Sequence, residues 1–290
     1  MGSNHVFDTQ NLFKTLPHFQ ENATLKLLQS SVLVSISCAF RIYLASLLIQ
    51  ANPSILICVA GFLVMYSVYV LDRALDSEED LVNKTELAGS NKKFGIVISL
   101  LAFISGASIL ATKGMFALAF VPFVTGYLYS KGIKIGKVSL KLKGGFGVKN
   151  LVVGITWGVF IAGLAGGSNL LPAVIIFIMY GVKVFINSAI DDFKDIKGDS
   201  LAGIKTLPIC LGTRGTRAAL FALHMGYHAI LCAAILSGVI ASEPLIVACS
   251  FICGLICIVR YTNETAHTKA GLSFFKDGES TITTVLHAIV

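Results

Sequence analysis

Long apolar runs alternate along this chain with short stretches where charge is concentrated. The runs are about 20 residues long, the length of a helix that crosses a hydrocarbon core, and they lack the ten-residue alternation of a membrane β-strand. They predict spanning helices at about 30–51, 54–75, 94–112, 115–131, 148–167, 170–193, 216–240 and 243–261. A ninth, from about 278 to the end, is diluted by Glu279 and three threonines. Pro122 lies inside the fourth, where a membrane helix tolerates it. Residues 1–28 read as a cytoplasmic amphipathic lead-in, with Phe7, Leu12, Phe13, Leu16 and Phe19 as apolar contacts. Residues 29–290 form the transmembrane domain.

Composition turns this pattern into a compartment. Of the 290 residues, 55% are hydrophobic and 13% charged, and the mean hydropathy is +0.79. A soluble domain carries about 25% charged residues, so this chain cannot cover a water-facing surface. The expected fold is an all-α membrane protein of about nine helices. The net charge of +7 then reports loop topology and contact with anionic lipid, not nucleic acid. Seven cysteines, an odd number and nearly all within apolar runs, argue against a disulfide framework.

The positive charges choose a side. Of the 23 lysines and arginines, 20 fall in segments 1–29, 72–93, 130–149, 191–217 and 260–277. Only Lys113 falls in the opposite loops, and Arg41 and Lys183 lie within helices. This bias places the N-terminus and the aspartate loops on the cytoplasmic face.

Those loops carry the candidate chemistry. Asp72, Asp76 and Asp80 follow the second helix, spaced i, i+4, i+8; Asp192, Asp195 and Asp199 follow the sixth, spaced i, i+3, i+7. If the helices extend past the membrane boundary, each set projects from one face. Asp72/Asp76 and Asp195/Asp199 are offset by 123 residues, or four helices. An even offset suggests two parallel four-helix pseudo-repeats, which would set the two clusters across a central cavity. Carboxylates this close repel one another and ask for cations. All-oxygen ligands suit Mg²⁺, whose shell is completed by water and substrate phosphate. Two facing clusters would hold a diphosphate, with Lys134, Lys143 and Lys205 on its remaining oxygens. A solvated acidic helix end is the bland alternative, and it weighs most for Glu78, Glu79 and Asp80. A diphosphate at the mouth of an apolar cavity implies a lipid-like tail within.

Charges within the helices have two readings each. Arg41 either meets a backbone carbonyl or lipid phosphate, or faces the cavity and touches diphosphate or acceptor. Lys183 and Asn187, i and i+4 one turn before the aspartates, either face the cavity or leave Lys183 to snorkel. His224 and His228 share a face, and an interhelical hydrogen bond is favoured there over a metal pair.

DRxxD followed by Asn83-Lys84, and DxxxD followed by GIKTLP, resemble the two aspartate-rich motifs of the UbiA superfamily of intramembrane prenyltransferases. Tyr129-Ser130-Lys131-Gly132-Ile133-Lys134 resembles that family's YSxxLK loop, and Val148-Lys149-Asn150-Leu151 its following helix start. The likeness covers about residues 25–290, and the second motif is its most specific part. It implies a nine-helix fold around a cavity and Mg²⁺-dependent prenyl transfer from a prenyl diphosphate to a lipophilic acceptor, an aromatic ring or a glycerol-phosphate-type hydroxyl. By position, Asp72 and Asp76 match the first motif's metal-binding aspartates, and Asp192, Asp195 and Asp199 the second's. Tyr129, Ser130 and Lys134 match the diphosphate-side loop, and Lys84 stands for the arginine of an Asn-Arg-Pro. Val68 and Tyr69 depart from the Asn-Asp that often opens the first motif, which implies a ligand place left missing or filled by Asp80 or Asp191. Two rival functions remain at this point. One is a terpene cyclase on the same fold, and the other a divalent-dependent transporter, which would place its acidic residues near the bilayer midplane.

Overall fold

The computed structural model describes residues 17–75, 87–130, 133–135, 138–140, 146–166, 169–262 and 269–289. Helix α1 (Pro17–Gln29) opens on a proline, tolerated where no intrahelical N–H is needed, and α2 (Val32–Leu48) follows after a short break. Then come α3 (Ile55–Ala74), α4 (Lys92–Ala111) and α5 (Phe116–Ser130). An antiparallel pair of three-residue strands, β1 (Ile133–Ile135) and β2 (Val138–Leu140), separates them from α6 (Val148–Ala165) and α7 (Leu170–Leu201). Helices α8 (Leu207–Leu236), α9 (Pro244–Tyr261), α10 (Lys269–Asp277) and α11 (Glu279–Ile289) complete the chain.

The architecture is all-helical apart from that small hairpin. Among the described residues, seven helices are long and apolar enough to cross a membrane. Of the nine expected, the two that fall short are α5, of 15 residues, and α11, of 11 residues. At 1.5 Å per residue, even α5 rises only about 22 Å, against a core of about 30 Å. Large apolar side chains such as Ile55, Leu101, Leu170 and Leu236 point outward, as helices facing lipid require.

Two boundaries move. The sixth expected helix does not stop at 193: α7 runs on to Leu201, so Asp191, Asp192, Asp195 and Asp199 ride one continuous helix. The seventh begins earlier than expected, at Leu207, and breaks at Gly212, whose φ of 66° and ψ of 175° no helix contains. Glycine adopts that conformation without a Cβ penalty.

Small residues bring the site's helices together. A Cβ on Gly154 would lie 2.7 Å from the Gly181 carbonyl oxygen, and one on Gly158 2.9 Å from Gly181 Cα, so α6 and α7 touch backbone to backbone. This is the small-residue contact that lets membrane helices approach closely. A Cβ on Gly126 would meet Val68 at 2.7 Å, which fixes α5 against α3. On α4, Ser99 Oγ donates to the Ser67 carbonyl of α3 at 2.8 Å.

Candidate functional site

From the Gly126–Val68 contact, each helix advances one turn to a functional side chain. Ser130 on α5 and Asp72 on α3 meet there, and the Ser130 hydroxyl lies 2.6 Å from Asp72 Oδ1. From the Gly154–Gly181 contact, the antiparallel pair α6/α7 leads to Lys149 and Asn150 facing Asp192. Asn150 Nδ2 donates to Asp192 Oδ2 at 2.9 Å and to Ser188 Oγ at 3.1 Å. Lys149 Nζ lies 2.7 Å from Asp192 Oδ1 and 3.5 Å from Asp199 Oδ2.

Asp72, Lys149, Ser188 and Asp192 line one cavity of about 300 Å³, and Ser130 and Asn150 hold Asp72 and Asp192 from outside its lining. Asp72 enters from α3, and Asp191, Asp192, Asp195 and Asp199 enter from α7. Arg41, Tyr129, Lys149, Asn187 and Lys276 also line it. Its apolar wall is built from Val34, Val68, Pro122, Val153, Trp157 and Val184. Tyr69, at one of the positions where the first motif departs from its family, stacks on Trp157 with ring centroids 6.0 Å apart. Tyr69 and Trp157 thus form an aromatic part of the cavity wall. Six carboxylates and five cations are among the lining residues, so the cavity nearly balances its own charge.

The expected site residues divide. Asp72, Asp192, Asp195, Asp199, Arg41, Tyr129, Ser130 and Asn187 are brought to the cavity or its rim. Arg41 is buried, donates to the Lys276 carbonyl oxygen at 3.4 Å, and has no partner for Nε among the described residues. Lys183 goes elsewhere: its ammonium is paired with buried Glu279 of α11 and donates to Ser250 Oγ at 3.0 Å. Lys205 is exposed and outside the cavity wall. Asp76, Asp80, Lys84 and Lys143 lie outside the described residues, and Lys134 is on β1 with its side chain outside the described set. His224 reaches the Phe251 carbonyl oxygen of α9 at 3.1 Å, an interhelical hydrogen bond.

Sequence reasoning named Lys149 and Asn150 only as part of a helix start, with no role at the site, and did not single out Lys276. Lys149 and Lys276 sit at the edges of lysine-rich segments, where a positive charge reads as a marker of sidedness. Lys276 holds Asp191 at 2.5 Å, and Lys194 holds the same carboxylate at 2.8 Å. Burial works against the Lys276 charge, but Asp191 and Asp277 outweigh it and push its pKa up. Asp191 is therefore committed to ammonium partners.

The donor chemistry fits a divalent cation. Asp72, Asp195 and Asp199 offer oxygens alone, as Mg²⁺ requires. Among the described residues, no three acidic, histidine or cysteine side chains already converge on one point. The set therefore suits a cation whose shell is completed by water and phosphate, not a closed protein cage.

Comparison with known proteins finds relatives in both sequence and fold. The profile of the UbiA prenyltransferase family matches residues 32–276. Digeranylgeranylglyceryl phosphate synthase of Methanococcus aeolicus is 32% identical over 143 residues, 47% of this chain and 48% of that protein. The synthase of the same name from Methanocaldococcus jannaschii is 26% identical over 182 residues, 60% of each chain. The matches thus span only about half to three fifths of these relatives' length. Among solved structures, an apo UbiA homologue from Aeropyrum pernix superposes with a TM-score of 0.62 at 13% identity, over 88% of this chain and 98% of that one. A UbiA homologue from Archaeoglobus fulgidus bound to DMAPP and Mg²⁺ superposes with a TM-score of 0.61 at 14% identity, over 92% and 99%.

Proposed function

Because the chain belongs to the UbiA prenyltransferase family, we propose that it is an intramembrane prenyltransferase. In this reading it moves an isoprenoid group from a prenyl diphosphate to a lipophilic acceptor. One observation carries the reading: aspartates about 120 residues apart in sequence, on α3 and α7, line the polar part of a single cavity whose remaining wall is apolar. A diphosphate fits the first environment and an isoprenoid tail the second. The relatives named as digeranylgeranylglyceryl phosphate synthases favour a glycerol-phosphate-type hydroxyl as acceptor over an aromatic ring.

Asp72, Asp195 and Asp199, with Asp76 from the segment outside the described residues, would hold Mg²⁺. When bound, the metal supplies positive charge to the oxygens of the leaving diphosphate. The protein's own groups do the rest. Ser130 fixes the Asp72 carboxylate, and Asn150 fixes that of Asp192. Arg41 brings a fixed charge to the cavity, and the valines with Trp157 exclude water from the prenyl tail. The allylic C–O bond breaks, diphosphate leaves with the bonding pair, the acceptor oxygen bonds to the freed carbon, and its proton passes to solvent or an aspartate.

In the same reading, residues 29–290 form the transferase unit, with 1–28 as a cytoplasmic lead-in. The positive loops put the N-terminus and both aspartate clusters on the cytoplasmic side. The short helices α5 and α11 complete a nine-helix arrangement, and α3 and α7 hold equivalent places in its two four-helix halves.

The test is turnover of the purified protein with prenyl diphosphates of graded length and a prenylglyceryl phosphate acceptor, read by mass spectrometry. A prenylated lipid that forms with Mg²⁺ and not with chelator is expected. Cyclised hydrocarbon from the diphosphate alone would instead make it a cyclase. Ion flux in liposomes without prenyl chemistry would make it a transporter.

A further inference from the structure

Lys149 stands where a metal ion would be sought. Its ammonium lies against Asp192 at 2.7 Å and Asp199 at 3.5 Å, two carboxylates of the second aspartate motif. The other oxygen of Asp192 accepts from Asn150 at 2.9 Å, and the Asp192 side chain is fully buried. The first turn of α6 therefore meets both oxygens of Asp192, one by a hydrogen bond from Asn150 and the other by the ion pair with Lys149. A lysine in that turn also faces the positive end of the helix, an unfavourable place for a cation unless something holds it.

We propose that Lys149 is a resident counter-cation that takes the place of a metal at Asp192 and makes metal binding at Asp199 conditional on diphosphate. This rests on the prenyl diphosphate reading above. With no diphosphate, the ammonium lies against both carboxylates, offsets one of their two charges and repels a divalent ion. When a diphosphate enters, the ammonium keeps Asp192 and turns a second N–H to a phosphate oxygen. A lysine's three donors on a flexible stem permit this. The longer contact, to Asp199, is the one given up, and that carboxylate becomes available to the metal that enters with the diphosphate. Lys149 is thus a substrate-binding residue as well as a metal surrogate.

The experiment measures Mn²⁺ binding by electron paramagnetic resonance on the full chain in detergent, with and without inorganic pyrophosphate. Free Mn²⁺–pyrophosphate is subtracted. Wild-type protein alone is expected to bind Mn²⁺ only weakly, in the millimolar range. Lys149→Met, which keeps the stem and loses the charge, should bind Mn²⁺ without pyrophosphate about tenfold more tightly or better, because one positive charge at contact range is gone. Its pyrophosphate affinity should fall by a similar factor, and Lys149→Arg should restore wild-type behaviour for both. A folded Lys149→Met protein with unchanged or weaker Mn²⁺ affinity overturns the proposal. Micromolar Mn²⁺ binding by wild type without pyrophosphate overturns it too, whether or not the variant folds. None of these readings uses turnover. Binding as described without any prenyl product would sink the transferase reading alone, and product with unaltered metal affinity in the variant would sink this one alone.

Discussion

Ser130 Oγ lies 2.6 Å from Asp72 Oδ1, which joins the last turn of α5 to the last turn of α3. The same hydroxyl is 2.9 Å from the Gly126 carbonyl oxygen of its own helix. The Gly126–Val68 contact one turn earlier sets the register that makes the pair possible. Two sequence motifs 58 residues apart are therefore one structural unit.

Ser130→Ala should lower turnover by about 10- to 100-fold. A hydrogen bond to a charged group contributes about 1.5–3 kcal/mol, and without it the Asp72 carboxylate loses a contact that aims it at the cavity. The fold should survive, since Gly126 and Val68 still set the helix contact. Steady-state kinetics and a melting curve check this. Turnover within twofold of wild type would show that Ser130 does not orient Asp72.

The second motif should be less forgiving. Asp195→Asn and Asp199→Asn should each lose about 100- to 1000-fold in turnover, the loss expected when one transition-state contact to a developing charge is removed. Asp72→Asn should behave alike. Melting temperatures should hold or rise slightly, because each change removes a charge from a crowded carboxylate set. Wild-type turnover in folded Asp195→Asn and Asp199→Asn proteins would defeat the central reading.

The pattern of apolar runs located the helices well because length and hydropathy are local properties. Asp72 and the α7 aspartates were legible for the same reason: DxxxD is a spacing on one helix face. What escaped depends on contacts between distant residues. Lys183 reads as a lone charge and Glu279 as a flaw in the last helix, yet they form a buried pair 96 residues apart. Lys149 was legible as a loop-edge lysine and part of a helix start, but the carboxylates it meets depend on how closely α6 approaches α7. The extension of α7 to Leu201 was blurred by Lys194, Lys197 and Gly198, which lower hydropathy without breaking the helix.

The Lys183–Glu279 pair gives a stability prediction. Both residues are 5% exposed, so removing one partner strands a charge among α7, α9 and α11. Lys183→Met or Glu279→Gln alone should cost about 3–5 kcal/mol of stability. The double change Lys183→Met with Glu279→Leu should recover most of that. Because the pair lies off the main cavity, the KM for prenyl diphosphate should stay near wild type in the double variant. Thermal melts and KM measurements decide it; a tenfold rise in KM at preserved stability would return Lys183 to the substrate site.

The proposed sidedness rests on charge and is open to direct labelling. Of 23 basic residues, 20 fall in segments assigned to one face and one, Lys113, to the other. Lysines and arginines near helix ends are retained on the cytoplasmic side during insertion. A single misplaced crossing between residues 140 and 168 would interchange every later loop. Single cysteines at Leu140, Ser168 and Lys205, in a background without the seven native cysteines, separate the cases. A membrane-impermeant maleimide applied to intact cells should label Ser168→Cys, while Leu140→Cys and Lys205→Cys should react only after the membrane is opened. Helix α6, 18 residues long and apolar, lies between the first two positions. Labelling of 140 and 168 from the same side would mean that α6 does not cross. In that event Lys149 and Asp192 could not face the cytoplasm with Asp72, and a diphosphate delivered from the cytoplasm could not reach both aspartate clusters.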